Sequence, residues 1–531
     1  MTATLTLKAE EVIRDRHLFD LLVERFQRCD GVIALDDGDV SWTYGELLNE
    51  IDVVAEEFIR RGLAPGDRIA LGAPPTGRFV IAYLAAASIG CVWMGLNPKY
   101  TARELEYIID DSRPKLILVH DAGGTALWDV SVDCERLEFD AFRRSIHESS
   151  ELGPELERRR RSLAPGDPAL LIYTSGSTGA PKGALVSAAA LARIAAVQSE
   201  RWDLKNPSFI CNLPINHIGC VGDLVTVALY TGARIRFVPD FDPAEMVRII
   251  RDEHITGLFQ IPTQLIRIAD QPEFDREAAK TLRLVGWGGA ALPIRYIRRF
   301  RELGLRMKTV YGSTETVASV TYSPEGATDE QLANTVGLPD PALDVRIIPE
   351  DSGADVEDSL ADGLAGEVCI RHWTTLPGYF GNRDATRSAY TPSGFLRTGD
   401  IGRIRADGML ELVGRTKDMY KSGGYNIYPR EIELVLESHP AVVASAVVAV
   451  PHPEYSEVGA AFVELDASTS PADAEAIIRE LRDECRNQLA NYKVPKTFHV
   501  VDDIPVLANG KIDKVQLRLR AAELTRGVHH E

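Results

Sequence analysis

The segment Tyr173-Thr-Ser-Gly-Ser-Thr-Gly-Ala-Pro-Lys-Gly183 constrains this chain more than any other. It follows a short apolar run, Ala169 to Ile172, so a buried strand is expected to deliver a mobile loop. Gly176, Gly179 and Gly183 let backbone N–H groups approach an oxyanion closely, and Thr174, Ser175, Ser177 and Thr178 supply four hydroxyls. Lys182 adds a cation. A triphosphate is the natural ligand of such a loop. A flexible Gly/Ser linker would need neither the strand before it nor the Pro181-Lys182-Gly183 ending. A Walker loop is excluded, because Lys182 stands between Pro181 and Gly183 where that motif requires Gly-Lys-Ser/Thr. The segment also lacks the Gly-x-Ser-x-Gly elbow of a serine hydrolase.

Short apolar runs at Arg68–Leu71, Leu116–Val119 and Ala169–Tyr173 are separated by helical patterns such as Thr101–Asp111. That alternation predicts α/β layers with largely parallel sheets. Phe79 to Leu96 carries no charge and is near the length of a membrane span, but Gly90 divides it and Asn97-Pro98 ends it. A buried helix followed by a buried strand is expected there. Arg158 to Arg161 follow Glu155 and Glu157 and precede a Pro-Gly turn, which reads as a solvated helix end.

With 531 residues the chain should hold at least two cores. The pattern changes after Gly414, where Lys417, Asp418 and Lys421 crowd one turn, so the expected domains are 1–415 and 416–531. The net charge of −19 argues against nucleic acid or an anionic membrane as the main partner. Seven scattered cysteines without a Cys-x-x-Cys pair predict reduced thiols, and a charged N-terminus argues against secretion. A cytoplasmic enzyme is expected.

Further motifs follow in order: Gly288 to Pro293, Tyr311-Gly-Ser-Thr-Glu-Thr316, Arg397-Thr-Gly-Asp400, Gly414-Arg-Thr-Lys-Asp418, Ser422-Gly-Gly424 and Asn509-Gly-Lys511. With the Thr174–Gly183 loop they make the chain resemble, over nearly its whole length, the adenylate-forming superfamily. That superfamily contains acyl-CoA synthetases, non-ribosomal peptide synthetase adenylation domains and firefly luciferase. The acid:CoA ligases are the nearest in motif content, through Lys421 to Glu433. The resemblance implies a large N-terminal domain of layered α/β subdomains and a small mobile C-terminal α+β domain. It also implies ATP, Mg²⁺ and CoA, and the conversion of a carboxylic acid to acyl-AMP and then to a thioester.

Roles carried over by the resemblance are as follows. Adenine lies against Tyr311, Gly312 and Gly289-Ala290-Ala291, the α-phosphate near Thr314, and Mg²⁺ at Glu315; a hard cation on phosphate oxygens does favour a carboxylate. Asp400 can accept from the ribose diol while Arg415 donates to the same sugar. Lys511 bridges the attacking carboxylate and the α-phosphate, where negative charge develops. Lys421, Ser422, Gly423 and Gly424 face CoA, and Lys417, two residues after Arg415, is the hinge.

On the acid side stand Asn216, His217, Trp287, Gly288 and Thr316. His217 is either a gate to the acyl tunnel or a satisfied core histidine. Many acyl-CoA synthetases carry Phe or Tyr immediately before this His, whereas here the residue is Asn216, which argues against a plain fatty-acid pocket. A buried unpaired amide costs about 1 to 3 kcal/mol, so Asn216 should meet a protein partner or a polar group on the substrate. Trp287 narrows the pocket and suggests a small or planar acid. Two other readings remain open: a stand-alone adenylation enzyme serving a carrier protein or another nucleophile, and a non-catalytic nucleotide-binding regulator, which the presence of Glu315 and Lys511 disfavours.

Overall fold

The computed structural model describes residues 13–120, 125–146, 153–174, 180–349, 359–466, 469–506 and 512–527. The expected short apolar runs become strands of one six-stranded sheet. Its order is Glu135–Glu138, Leu116–Val119, Arg68–Gly72, Val92–Leu96, Pro168–Thr174 and Lys182–Ser187. All pairs are parallel except the last, an antiparallel hairpin that brackets the glycine-rich loop.

The uncharged stretch is divided as its glycine predicts. A helix, Gly77–Ala87, runs into a left-handed turn at Gly90 (φ +75°) and then the strand Val92–Leu96. Among the described residues no helix is long and apolar enough to cross a membrane. The Thr101–Asp111 pattern forms the helix Ala102–Ser112. Its first turn is closed by a capping box, in which Thr101 Oγ accepts from the Glu104 N–H and the Glu104 carboxylate accepts from the Thr101 N–H.

A nine-stranded sheet takes its strands from residues 33–43 and 208–339. Six parallel strands form its centre: Ile33–Asp36, Arg234–Phe237, Ser208–Cys211, Gly257–Gln260, Leu284–Trp287 and Arg306–Ser313. Antiparallel strands finish both edges. Helices Gly77–Ala87 and Ala188–Trp202 share one apolar core with strands of both large sheets. The other face of the nine-stranded sheet is covered by helices Pro243–Asp252, Pro262–Ala269 and Ile294–Glu302.

Parallel pairing does not extend through the whole chain. A four-stranded sheet, Asp344–Ile348, Gly366–Arg371, Leu396–Ile404 and Leu410–Arg415, is wholly antiparallel. The small C-terminal part, a five-stranded sheet beginning at Tyr420, has one parallel pair. Short connections join Leu396–Ile404 to Leu410–Arg415, Tyr420–Ser422 to Tyr425–Ile427 and Val442–His452 to Ser456–Leu465, and such hairpins require antiparallel neighbours.

The arginine run differs in part from a solvated helix end. On the helix Pro154–Arg161, Arg158 and Arg161 are exposed and pair with Glu155 and Glu157. Arg159 also pairs with Glu155 at 2.9 Å but in addition donates to the Leu63 carbonyl at 2.6 Å, and Arg160 pairs with Asp52 at 2.5 Å. Two of the four therefore fasten the helix to its neighbours. All seven cysteines are free thiols.

Candidate functional site

The end of the strand Pro168–Thr174 meets the Tyr311–Thr316 motif. Thr174 Oγ1 donates to Glu315 Oε1 at 3.1 Å, and the Tyr379 hydroxyl donates to the same oxygen at 3.1 Å. Residues 378–380 run beside the hairpin: Leu185 N donates to the Gly378 carbonyl at 3.1 Å and Phe380 N to the Gly183 carbonyl at 2.7 Å. That docking sets the Tyr379 ring under the Lys182 ammonium, 5.4 Å from the ring centroid. Burial, and then the Glu315 charge beside it, push the Tyr379 hydroxyl's pKa up, so it remains a neutral donor. Ser175, Gly176, Ser177, Thr178 and Gly179 lie outside the described residues.

The strand Arg306–Ser313 carries Tyr311 to the site and turns sharply at Thr314–Thr316. Glycine is required at 312, because a Cβ there would lie 1.8 Å from the Ala318 carbonyl oxygen. The turn is strained: Val317 (φ +56°) and Ala318 (φ +67°) are both left-handed, a conformation that costs non-glycine residues of order 1 to 3 kcal/mol each. Thr316 holds it. Its buried hydroxyl accepts from Ser313 N at 2.7 Å and contacts the Ala318 carbonyl at 2.9 Å. The Thr316 hydroxyl thus serves the turn rather than facing outward to a substrate. Thr314 is buried, and its carbonyl accepts from Val317 N.

Antiparallel register sets Asp400 opposite Arg415. Arg415 Nε lies 2.8 Å from Asp400 Oδ1, and the Tyr311 hydroxyl donates to Asp400 Oδ2 at 2.7 Å. One carboxylate thus joins three separate motifs. Burial and the Asp400 charge raise the Tyr311 pKa, which keeps that hydroxyl protonated. Beyond Arg415, Thr416 N donates to the Gly399 carbonyl at 2.9 Å, and Asp418 N to the Arg415 carbonyl at 3.0 Å. Lys417 sits in the turn between them. Its pKa is lowered by partial desolvation and then by Arg415, against the opposing pull of Asp418, Asp400 and Glu315.

On the other side, the strand Leu284–Trp287 ends at Gly288, whose added Cβ would press on Val310 at 3.2 Å. Gly289 (φ +85°) and Ala290 are exposed and Ala291 half-buried, forming an open edge. The Trp287 side chain is fully buried on the helix-covered face, and its indole N–H has no acceptor. His217 precedes a π-helix, Gly219–Thr226, and its Nδ1 accepts from Gly219 N at 3.0 Å, which puts the neutral ring's proton on Nε2. Asn216 does meet a protein partner: its amide donates to the Tyr100 hydroxyl at 2.7 Å, while its Oδ1 has none.

In the C-terminal part, Tyr420–Ser422 and Tyr425–Ile427 form a tight hairpin whose two central residues, Gly423 (φ +57°) and Gly424 (φ +87°), are both left-handed. Lys421 is exposed, and its backbone N–H donates to Glu457. Asn509, Gly510 and Lys511 lie outside the described residues. Two residues at the site carry no sequence signal that pointed to them. Tyr379 is 64 residues from Glu315 and Tyr100 is 116 from Asn216, so only the fold brings each pair together.

The family model for AMP-binding enzymes matches residues 22–380, and that for the AMP-binding enzyme C-terminal domain matches residues 431–511. A feruloyl-CoA synthase of an Amycolatopsis species is 29% identical over 509 residues, spanning 96% of this chain and 100% of its own. An indoleacetate–CoA ligase of Aromatoleum aromaticum is 30% identical over 505 residues, spanning 93% and 95%. Among solved structures, ATP-bound MatB from Rhodopseudomonas palustris superposes with a TM-score of 0.81 at 28% identity, over 96% of this chain and 100% of that one.

Proposed function

The chain belongs to the AMP-binding enzyme family, and we infer that it is an AMP-forming acid:CoA ligase. The observation that carries this reading is the Thr174–Glu315 hydrogen bond, which joins the glycine-rich loop to the Tyr311–Thr316 motif across 141 residues. In the first half-reaction the substrate carboxylate attacks the α-phosphorus of ATP, the bond to the β-phosphate oxygen breaks, and pyrophosphate leaves. Thr174 to Gly179 and Lys182 hold the triphosphate. Tyr311, Gly312 and Gly289-Ala290-Ala291 bracket adenine, and Thr314 lies by the α-phosphate.

Asp400 binds the ribose with Arg415. A carboxylate has about four lone-pair positions, so Asp400 can serve Tyr311 and Arg415 and still accept from a sugar hydroxyl. Glu315 fits a divalent cation, because among the described residues the hydrogen bonds to its Oε1 come from neutral hydroxyls, those of Thr174 and Tyr379. Mg²⁺ bound at Glu315 would neutralise charge on phosphate oxygens. Lys511 would donate to the negative charge that develops where the acid oxygen attacks the α-phosphate.

In the second half-reaction the CoA thiol attacks the acyl carbon, AMP leaves, and the thiol proton passes to solvent. Lys421, Ser422, Gly423 and Gly424 line the thiol's approach. Because Lys511 and this hairpin must serve one site at different times, residues 416–531 rotate against 1–415 about Lys417. Side-chain and backbone partners on the two sides of that residue support a pivot there: Arg415 pairs with Asp400 and Thr416 N donates to the Gly399 carbonyl, whereas the Asp418 carboxylate forms an ion pair with Lys514 at 3.5 Å. ATP–pyrophosphate exchange with a panel of carboxylic acids, followed by product analysis with CoA or a carrier protein, tests the reading. Acid-dependent exchange and a CoA thioester are expected. Acyl-AMP formed without any CoA thioester would sink the ligase assignment.

A further inference from the structure

Asp223 is a buried carboxyl to which neither half-reaction gives a role. It lies on the π-helix Gly219–Thr226, and π-helical turns are rare in general but frequent at functional sites. The winding is fixed from both ends. The His217 carbonyl accepts from Cys220 N at 3.0 Å and from Val221 N at 3.2 Å, and Thr226 Oγ1 donates to the Val221 carbonyl at 2.6 Å. Asp223 therefore rides on the segment that His217 begins. Among the described residues no cation acts on its carboxyl, and a carboxyl buried without one costs stability.

Three motif-bearing segments meet at this residue. The Ser319 hydroxyl donates to Asp223 Oδ1 at 2.6 Å, and the Gln198 amide donates to the Asp223 carbonyl at 2.7 Å. Gln198 belongs to the helix Ala188–Trp202, which begins where the strand Lys182–Ser187 of the glycine-rich hairpin ends. Ser319 directly follows the left-handed pair Val317 and Ala318, and it stands opposite Gly312 in the strand pairing that closes the Tyr311–Thr316 motif. Two consecutive left-handed residues bearing side chains persist only where their surroundings over-determine them. On one side of the pair Thr316 supplies that constraint. On the other stands Ser319, 2% exposed, whose hydroxyl is held by Asp223 and whose carbonyl accepts from the Tyr322 hydroxyl at 3.0 Å. The π-helix also packs directly on the pair, since a Cβ at Gly222 would lie 3.4 Å from the Ala318 Cβ.

Resting on the acid:CoA ligase reading, we propose that Asp223 is a positioning residue for adenylation, which through Ser319 fixes the turn that presents Thr314 and Glu315 to the nucleotide. Asp223 acts on the turn and touches no substrate. Releasing Ser319 lets the left-handed pair relax, and Glu315, two residues before Val317, moves with it. A shift of about 1 Å in a group that positions reacting atoms lowers a rate by up to about 10²-fold, so the effect falls on turnover.

The test uses Ser319→Ala, which deletes the donor at little change in volume, and Asp223→Asn, which keeps an oxygen to accept from Ser319. Each is compared with the parent in ATP–pyrophosphate exchange with the best acid of the panel, and in calorimetric binding of ATP with and without Mg²⁺. In Ser319→Ala the kcat should fall about tenfold or more while the KM for the acid stays within about twofold, and the gain in ATP affinity on adding Mg²⁺ should shrink. Asp223→Asn should stay within about threefold of the parent in both assays. Parental kcat and Mg²⁺ response in Ser319→Ala overturn the proposal. So does a loss of kcat no larger than the loss of folded protein measured by circular dichroism at the assay temperature, or an equal loss in Asp223→Asn. If no acid supports exchange in a folded parent, the ligase reading fails instead. ATP binding then decides alone: a Mg²⁺ response that Ser319→Ala loses supports the positioning role, and an equal response in both proteins, or none in the parent, overturns it.

Discussion

Asp223 lies fully inside the protein on the π-helix Gly219–Thr226, and its carboxyl accepts from the Ser319 hydroxyl at 2.6 Å. The Gln198 amide donates to its backbone carbonyl at 2.7 Å. Burial pushes its pKa from 3.8 up to about 7, although the Ser319 and Gln198 hydrogen bonds oppose the rise. A raised carboxyl pKa means that the folded state holds the proton more tightly than the unfolded chain. Below about pH 4 both states are protonated and the group takes nothing from stability. Between pH 4 and 7 the unfolded chain ionises while the folded one does not, so stability falls, and above pH 7 the loss is complete. At 1.36 kcal/mol per pH unit the loss approaches about 4 kcal/mol. Asp223→Asn keeps an oxygen to accept from Ser319 and removes the titration. The variant should therefore match the parent near pH 4 and exceed it by about 2 to 4 kcal/mol at pH 8. Urea unfolding of both proteins in parallel from pH 4 to 8 measures the difference, in which the other titrating groups cancel. A difference that does not change with pH, or that is larger in acid, would refute the argument.

Three further outcomes follow from the site. Lys511→Ala should slow acyl-AMP formation by about 10²- to 10³-fold, the loss typical of one donor to developing charge, while CoA thioester formation from supplied acyl-AMP persists; parental pyrophosphate exchange would remove Lys511 from that role. Tyr379→Phe deletes one of the two hydroxyls on Glu315 Oε1, and a hydrogen bond to a charged group is worth about 1.5 to 3 kcal/mol, so adenylation should fall about ten- to hundredfold. Unchanged exchange kinetics across a Mg²⁺ titration would show that Glu315 needs no such support. Lys417→Pro fixes φ at the proposed pivot and should suppress thioester formation more than adenylation at a nearly parental melting temperature; equal loss of both half-reactions, or of neither, in a folded variant counts against the hinge.

Much of the site was legible in the sequence wherever one strand and its turn carry the chemistry. Tyr311 and Glu315 belong to a single strand-turn, and Thr174 and Lys182 flank a single hairpin, so spacing alone kept each set together. Capping was equally local: Thr101 and Glu104 stand three residues apart and mark the helix start by themselves. What spacing could not supply was the partner from another element. The arginine run reads as one solvated patch until the helix is docked, when the side of it facing Leu63 and Asp52 separates Arg159 and Arg160 from their exposed neighbours. Asn212, Gln260 and Trp287 are scattered over 75 residues, and only Trp287 stands beside a motif. Their relation exists only in the register of parallel strands, where residues far apart in sequence come within about 5 Å of one another. In a parallel sheet every such row is assembled across crossover connections, and the row at the C-terminal ends of the strands is where those connections leave space for a ligand. A polar residue that closes a buried strand at that end therefore deserves to be aligned with the closing residues of its neighbours before it is read as core.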